Sequence, residues 1–363
     1  MEDLELAWAP AFWRGRRVLV TGHTGFIGGW LALTLAEMGA EVHGLALPPA
    51  TTPALFDAAR LAEVARHRVV DIRAAAATAA AVAEAAPEVV FHLAAQPIVR
   101  LAHREPVATF ATNVMGTAHV LEAVRHCPTV RAVVAFTTDK VYENREWAWG
   151  YREIDRLGGH EPYGASKAAA EHVIETWRRS YLSGRELPVA IATVRAGNVI
   201  GGGDWAPDRL IPDAMRSFAA GAPLVVRRPR AVRPWQHVLE PVAATLLLGR
   251  QLVEAPAMAE GPWNIGPDAT DMQPVAWIAD RLTRLWPGAP DWRNEDDGGP
   301  YEAGLLLLDS TRARARLGWR PRWTLDRALV ETVEWYHQFT GGADARGLTR
   351  RQIEAFFHGD RPA

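Results

Sequence analysis

Tyr163 and Lys167 are the two residues whose types and spacing most directly indicate acid–base chemistry. Pro162 is suited to the first turn of a helix, which would place both side chains on one helix face. A lysine ammonium near a phenol favours the phenolate and moves the tyrosine pKa from its usual value of about 10 toward neutrality. Tyr163 is therefore a candidate general base for a sugar or alcohol hydroxyl, with Lys167 as its partner.

Thr138, Asp139 and Lys140 form a second reactive group, directly after an apolar run typical of a buried strand. Thr138 could hydrogen-bond the hydroxyl that loses its hydride. Asp139 could protonate a leaving hydroxyl if its surroundings raise its pKa, and Lys140 could abstract a proton if its pKa is lowered. A helix N-cap or a solvated surface charge is an equally good explanation of each residue taken alone.

A glycine-rich turn near the N-terminus would bind a cofactor for the reaction of these residues. Residues 18–20 are typical of a buried strand, and apolar residues then recur at helical spacing from Leu31 to Met38. Glycines at every third position between strand and helix allow a sharp turn, close approach of a pyrophosphate and close helix packing. The residues expected to contact the dinucleotide are Gly22, His23, Thr24, Gly25, Phe26, Ile27 and Gly28.

The turn leaves the choice between NAD and NADP open, and NAD is the expected cofactor. An acid that would bind the ribose hydroxyls is absent from its usual place about 20 residues further on, where the chain has residues 45–49. Asp71, followed by Ile72, ends a third predicted strand (68–70) and could bind the adenine amino group or cap a helix. After the strand predicted at 89–93, Ala94, Ala95 and Gln96 suit a cofactor that crosses the sheet edge.

Alternating strands and helices predict an α/β fold with a doubly wound, parallel Rossmann-type sheet that binds ligands at the carboxyl ends of its strands. We expect a Rossmann domain over residues 12–197, which also receives later segments. Helices near 208–220, 238–253, 274–286 and 325–339 lack regular strands between them. Residues 198–345 are therefore expected to form mostly a smaller, mixed substrate-binding portion, and residues 346–363 a tail.

Composition excludes several other classes of protein. The chain has 40 basic and 42 acidic residues, which gives no general reason to expect binding to nucleic acid or to an anionic membrane. Cys127 is the single cysteine, so an internal disulfide is impossible, and no Cys/His cluster has the spacing of a metal site. The acidic N-terminus and the absence of a long apolar run predict a soluble cytoplasmic protein.

Taken together, these motifs resemble the extended short-chain dehydrogenases/reductases of the NAD-dependent epimerase/dehydratase family. The resemblance runs from about residue 12 to about residue 340 and is strongest to the branch that dehydrates CDP-glucose. The stretches that carry it, among them a Trp-rich block and a Gly-Gly-Gly-Asp-Trp segment, are residues 12–26, 95–100, 113–116, 144–153, 194–205, 209–212 and 233–241. Val141 and Ile27 depart from the pattern, where cysteine and lysine are expected, and Ile27 could alter how the cofactor is held.

The resemblance implies an internal redox dehydration of a sugar nucleotide. Tyr163, held by Lys167, would deprotonate the sugar C4 hydroxyl as hydride passes to NAD. Asp139 would protonate the departing C6 hydroxyl, and Lys140 would remove the C5 proton, directly or through water. Asn113 would contribute to the cofactor site. The residues expected to hold the substrate are Gln96, Arg100, Asn198, Arg209, Arg227, Arg233 and Tyr301, the arginines because guanidinium groups match phosphate oxygens.

Three alternatives remain open from the sequence. Another NDP-hexose 4,6-dehydratase or a sugar-nucleotide 4-epimerase would share the glycine turn, Tyr163 and Lys167, although an epimerase needs no acid such as Asp139. A dinucleotide-binding sensor without turnover would not need the tyrosine and lysine. A homodimer or larger homo-oligomer, formed through helices at 107–126 and 163–182, is also expected from the resemblance, although the alanines at 168–170 would equally suit an internal contact.

Overall fold

A seven-stranded parallel sheet forms the centre of the computed structural model, which describes residues 8–184, 188–295, 298–299 and 303–359. Every adjacent pair in it is parallel, in the spatial order β11-β6-β5-β4-β1-β2-β3. The predicted doubly wound sheet is therefore confirmed. Its strands are β1 (Arg17–Thr21), β2 (Glu41–Ala46), β3 (Arg66–Val69), β4 (Val89–His92), β5 (Ala132–Phe136), β6 (Ala190–Ala196) and β11 (Gly261–Ile265).

Helices cover both faces of this sheet. In chain order they are α1 (Pro10–Trp13), α2 (Phe26–Glu37), α3 (Leu55–Ala58), α4 (Ala75–Ala85), α5 (Val99–Arg104), α6 (Pro106–Phe110), α7 (Gly116–His126), α8 (Pro162–Trp177), α9 (Leu210–Ala219), α10 (Leu239–Glu254), α11 (Pro256–Ala259), α12 (Val275–Leu285), α13 (Leu325–Thr340) and α14 (Ala345–His358). A π-helical turn, Ala111–Met115, joins α6 to α7, so the helix predicted at 106–126 is one run with a local widening. A second π-helical turn, Arg178–Leu182, ends α8.

Two apolar cores lie on opposite faces of the sheet because successive strand residues point to opposite sides. In β1, Val18 and Val20 belong to the larger core, and Leu19 belongs to the smaller one. All residues of β4 and β6 are buried, as expected for strands with both faces covered. The sheet is thus held rigidly from both sides, and the residues that follow its strands have fixed positions.

One strand of the main sheet, β11, is missing from the sequence-based prediction. It pairs with β6 at the edge of the sheet, although its residues come from the region expected to lack regular strands. Gly261 and Pro262 obscure it, because both residues are rare in strands and proline is tolerated mainly at an edge. Trp263 and Ile265 are nevertheless fully buried in the larger core, which explains why the segment is extended there.

The remaining strands form three two-stranded ribbons in the C-terminal half. They are β7 (Val199–Ile200) with β10 (Gln236–His237), β8 (Val225–Val226) with β13 (Arg293–Asn294), and β9 (Val232–Pro234) with β12 (Met272–Pro274). The segment predicted as a tail starts within helix α14, and Phe356 and Phe357 of this helix are buried in the larger core.

Aromatic residues fix the glycine-rich loop that follows β7. Trp30 of α2 donates its indole N–H to the Gly202 carbonyl at 2.9 Å, and the Tyr336 hydroxyl donates to the Asp204 carbonyl. Trp205 packs against Trp335, Tyr336 and Phe339. Trp30, Trp205 and Trp335 therefore help to connect the C-terminal half to the helix of the glycine turn.

Glu240→Gln is expected to flatten the pH dependence of stability. Glu240 is 1% exposed, and burial raises the pKa of its carboxyl from 4.5 to about 8 against hydrogen bonds from the Trp323 and Arg322 backbone N–H groups. The folded state therefore holds a proton that the unfolded chain has lost, and stability falls as pH rises from about 4.5 through about 8. Thermal unfolding midpoints of both proteins across this range test the difference.

Glutamine can accept the same two hydrogen bonds through Oε1, and Glu240 Oε2 has no hydrogen-bond partner among the described residues. The variant should thus equal the parent at acidic pH and exceed it in midpoint above pH 8. A variant whose midpoint declines in parallel with that of the parent would show that Glu240 does not cause the decline.

No helix in the described ranges is long and apolar enough to span a lipid bilayer.

Candidate active site

A cavity of about 930 Å³ opens along the carboxyl ends of the parallel strands. Its volume lies in the upper part of the range for ligand pockets, and its position is the usual binding crevice of open α/β sheets. It extends from the glycine turn after β1, past the ends of β4, β5 and β6, to arginines of the C-terminal half. The cavity therefore offers one continuous site to a dinucleotide and a second ligand.

The glycine turn has the close contacts that dinucleotide binding requires. Gly22 has φ +77°, and a Cβ at this position would lie 2.7 Å from the Ala94 backbone nitrogen. A Cβ on Gly28 would lie 2.3 Å from the Gly22 carbonyl oxygen, so α2 packs directly on the turn. Gly25 is the N-cap residue of α2 and lines the cavity. The N-terminus of α2, with its unpaired N–H groups, thus borders space suited to a pyrophosphate.

Two residues predicted to bind the cofactor have side chains buried behind the cavity wall. The His23 ring is fully buried, and its Nε2 lies 2.8 Å from Nδ1 of His67. Asn113 accepts from the Gln96 backbone N–H and donates to the Ser166 hydroxyl and the Gln96 carbonyl. In this structure both side chains support the cavity wall from behind, and contact of these two residues with the cofactor stays a prediction. Asn113 lies in the π-helical turn, a kind of distortion that is frequent at functional sites.

Asp71, predicted to contact the cofactor, lines the cavity and does not cap a helix. Its carboxylate accepts three bonds from the Arg73 guanidinium, at 3.0 Å and 2.9 Å from Nε and 2.6 Å from Nη2, and one from the Arg73 backbone N–H. The hydrogen bonds from Arg73 hold the pKa of Asp71 below its usual value. The N-cap of the following helix α4 is Ala74, which removes capping as the explanation for this acid.

Tyr163 and Lys167 lie in the first turns of α8, which begins at Pro162 as predicted. The Glu161 carboxylate caps this helix by accepting from the backbone N–H groups of Tyr163 and Gly164, each at 2.7 Å. Lys167 Nζ donates to the Phe136 carbonyl at 2.9 Å, at the end of β5. Both side chains line the cavity.

The acidity predicted for the Tyr163 phenol is not found in the protein alone. Burial raises the pKa of Tyr163 to about 12, although a hydrogen bond with Thr138 and the Arg209 charge act in the opposite direction. Burial also lowers the pKa of Lys167 to about 8, against the Glu171 carboxylate, which raises it. The expected lowering by Lys167 is wrong for this state, because its ammonium bonds a carbonyl and desolvation dominates the phenol.

Thr138 connects the phenol to a buried acid. Its hydroxyl hydrogen-bonds Tyr163 and lies 3.0 Å from Oδ1 of Asp139. Asp139 is 2% exposed, lines the cavity, and has no hydrogen-bond partner at Oδ2 within the part of the chain that the structure describes. Burying such an acceptor is costly, so a ligand group that bonds it would be favoured. Lys140, the next residue, also lines the cavity.

Four predicted arginines line the cavity, each next to polar groups of the protein. Arg209 donates to Asp204 Oδ2 at 2.8 Å. Arg227 donates to Asp208 Oδ1 at 3.0 Å, and Arg100 Nε lies 3.7 Å from the same oxygen. Arg233 donates to the carbonyls of Val232 and Ala303.

The sequence-based site did not include Asp204 or Asp208, which orient three of these arginines. Asp204 lies in the Gly-Gly-Gly-Asp-Trp segment that was recognised, and this could have signalled it. Asp208 lies in irregular backbone with φ +64°, for which the sequence contains no comparable signal.

Most predicted site residues face the same cavity. Those that line it are Gly22, Thr24, Gly25, Phe26, Ile27, Gly28, Asp71, Ile72, Ala94, Ala95, Gln96, Arg100, Thr138, Asp139, Lys140, Tyr163, Lys167, Asn198, Arg209, Arg227 and Arg233. Tyr301, also predicted, lies outside the described residues. Gln96 uses its side-chain amide on Thr109 and on the Ile98 N–H, which fixes the loop after β4.

Comparison with known proteins places this geometry among sugar-nucleotide enzymes. Residues 18–266 match the model of the NAD dependent epimerase/dehydratase family. The chain is 45% identical over 348 residues to the CDP-glucose 4,6-dehydratase of Salmonella typhimurium, which covers 95% of this chain and 97% of the relative. It is 30% identical over 344 residues to the dTDP-glucose 4,6-dehydratase of Xanthomonas campestris, with 88% and 92% covered.

Among solved structures, UDP-glucose 4-epimerase from Brucella ovis in complex with NAD superimposes with a TM-score of 0.75 at 22% identity. The match covers 88% of this chain and 97% of that one. At this identity the likeness establishes a shared fold.

Proposed function

This chain belongs to the NAD dependent epimerase/dehydratase family, and from that premise we propose that it is a hydro-lyase that converts CDP-glucose to CDP-4-keto-6-deoxy-glucose. The near full-length similarity to a CDP-glucose 4,6-dehydratase supports the substrate. The cofactor is NAD, in agreement with the family.

The observation that carries the proposal is the position of Asp139. Its Oδ2 is buried at the cavity and has no hydrogen-bond partner among the described residues. The Asp139 carboxyl is linked to the candidate base Tyr163 through a single hydroxyl group, that of Thr138. An epimerase needs the base and the cofactor but has no water to eliminate. A carboxyl group next to the base is what loss of a hydroxyl as water requires.

The residues of the site fit a bound dinucleotide. Gly22 and Gly28 leave no room for a Cβ, which lets the turn pack against Ala94 and under α2, and the N-terminus of α2 would hold the pyrophosphate. Asp71 and Ile72 would lie along the adenosine, and Lys167 would bond the ribose next to the reacting ring. When bound, NAD accepts a hydride from the sugar and later returns it.

The reaction divides among four side chains. Tyr163 takes the proton of the C4 hydroxyl in its phenolate form, which the Thr138 hydroxyl and the Arg209 charge favour against the opposing effect of burial. The resulting C4 ketone makes the C5 hydrogen acidic, and Lys140 removes that proton, directly or through a water. Asp139 protonates the C6 hydroxyl, which departs as water, and the proton taken by Lys140 returns to C5 when C6 regains the hydride. Arg100, Arg209, Arg227 and Arg233 would hold the two phosphates of the substrate.

Mass spectrometry on a panel of sugar nucleotides, each incubated with the protein and NAD, tests the proposal. We expect CDP-glucose to lose one water and the other nucleotides to remain unchanged. Water loss from a dTDP- or GDP-sugar instead would keep the mechanism and refute CDP as the carrier. An isomer of unchanged mass would indicate a 4-epimerase, and no change with tight NAD binding would indicate a sensor.

Gly197→Ala is expected to lower kcat by about tenfold or more. A Cβ at residue 197 would lie 1.9 Å from Oδ2 of Asp139, so the methyl group must displace the carboxyl. Overpacking of this kind also costs about 1–3 kcal/mol of stability. The measurements are kcat for CDP-glucose and the thermal unfolding midpoint.

Gly184→Ala is the matched control, because a Cβ at residue 184 would meet nothing within 4 Å. It should retain the parent kcat and midpoint. An unaltered kcat in Gly197→Ala would mean that the position of the Asp139 carboxyl is unimportant for turnover.

Self-association through α6 and α7 is part of the proposal. Val107, Phe110 and Met115 expose 82%, 39% and 52% of their surface along this run, and Tyr181 exposes 47% at the end of α8. A second copy of the chain would cover these apolar side chains, which supports a homodimer or larger homo-oligomer. Light scattering on the parent and on Phe110→Asp would test it.

A cytoplasmic location is proposed because nucleotide sugars and NAD are available there.

A further inference from the structure

A buried ion pair, Glu171–Arg195, joins helix α8 to strand β6. Neither residue takes part in the reaction proposed above. Glu171 lies one helical turn after Lys167 in α8, and Arg195 lies in β6. Arg195 donates to both carboxylate oxygens, at 3.0 Å from Nε to Oε1 and 2.9 Å from Nη2 to Oε2. The two side chains are only 5% and 4% exposed. The pair is therefore bidentate and removed from solvent.

Both groups of this pair are charged. Burial alone would raise the pKa of Glu171, but Arg195 and hydrogen bonds from Thr137 and Thr193 hold it below its usual value. Replacing a buried ion pair by apolar residues is often neutral or stabilising. General stability is therefore a weak explanation for this pair, and the residues it bonds are more informative.

The pair bonds the two residues that flank the reactive turn. Thr137, immediately before Thr138, donates its hydroxyl to Glu171 Oε1 at 2.6 Å. On the other side, Arg195 Nη1 donates to the Tyr142 hydroxyl at 3.0 Å, immediately after Val141. Residues 138–141, which include Asp139 and Lys140, are thus attached at both ends to one ion pair.

We propose that Glu171 and Arg195 are positioning residues that fix both ends of the 138–141 turn against α8. Asp139 and Lys140 then keep a constant placement relative to Tyr163, which lies in the same helix as Glu171. Misplacement of a reacting group by about 1 Å can cost about 100-fold in rate. The assignment of catalytic roles to the turn rests on the proposed function, but the attachment of the turn does not.

Three single variants separate positioning from stability. Thr137→Val and Tyr142→Phe each detach one end of the turn from the ion pair and keep the side-chain shape, and Tyr142→Phe also removes the hydrogen bond that the Tyr142 hydroxyl donates to Asn264 Oδ1. Thr193→Val is the matched control: its hydroxyl donates to Glu171 Oε2 at 3.1 Å, but from the interior of β6. For each variant we would measure the thermal midpoint, NAD affinity, kcat and KM for CDP-glucose, and amide hydrogen exchange of residues 138–142.

We expect Thr137→Val and Tyr142→Phe to speed amide exchange in residues 138–142 and to lower kcat about 10- to 100-fold, with KM and NAD affinity within about twofold of the parent. Thr193→Val should lose a similar amount of thermal stability and keep the parent exchange rates and kcat. Equal losses of kcat in all three variants, or unchanged exchange in the first two, would overturn the proposal. If the parent itself does not dehydrate CDP-glucose, the proposed function fails, and the exchange rates still decide on the attachment.

Discussion

Tyr163→Phe is expected to reduce kcat for CDP-glucose by about a thousandfold, the largest single effect in the site. The variant removes the only atom of this side chain that can take the C4 proton, and general base catalysis contributes about 10²–10⁴-fold. The phenol is buried and bonded to Thr138, so phenylalanine fits the same space. The measurement is the initial rate of water loss, together with NAD affinity, which should remain near that of the parent.

Exchange of the C5 hydrogen with deuterated water shows at which step the reaction of the Tyr163→Phe variant stops. Without the base no C4 ketone forms, so the C5 hydrogen is not acidified, and CDP-glucose recovered from deuterated water should carry no deuterium. Tyr181→Phe is the matched control, since this tyrosine is 47% exposed at the end of α8 and should behave as the parent. A Tyr163→Phe variant with more than a tenth of the parental rate would require a different base.

Asp139→Asn is expected to reduce the rate of product formation by about a hundredfold or more, at a later step. The amide has the shape of the carboxyl group but cannot protonate the departing C6 hydroxyl. Tyr163 is unaffected, so the C4 ketone still forms and the C5 hydrogen still exchanges. The measurement is mass spectrometry of CDP-glucose recovered from deuterated water, which should gain one deuterium while little product appears.

The exposed acid Asp57 provides the control, because Asp57→Asn alters the same functional group in α3, outside the cavity lining. Loss of both product and exchange in Asp139→Asn would falsify the assignment of Asp139 to the C6 hydroxyl and would place it at the oxidation step. The opposite exchange results expected for the Tyr163 and Asp139 variants therefore separate base from acid.

Six of the seven strands of the main sheet could be predicted, most of them because a short apolar run is followed by helical periodicity, as at the glycine turn. The reactive groups could be predicted for a related reason: parallel strands end at one edge, so residues after β1, β4 and β5 must meet there. The helix start at Pro162 was also predictable, and it places Tyr163 and Lys167 toward that edge.

Other features depend on contacts that no local pattern contains. The pKa of Tyr163 follows from its burial and from Thr138 and Arg209, which are distant in sequence. His23 lies inside the glycine motif, yet its ring turns away from the cavity because His67 and Phe56 pack against it. Asp208 can be recognised as a site residue only when the positions of Arg227 and Arg100 are known.

The place of β11 at the sheet edge affects how the chain folds during its synthesis. Strand β6, all of whose residues are buried, leaves the ribosome with one edge unpaired and stays so until residues 261–265 emerge. An apolar strand with a free edge is a template for pairing with other chains. Nascent chains that end between these two strands are therefore exposed to aggregation, and rapid completion of this segment protects the yield of native enzyme.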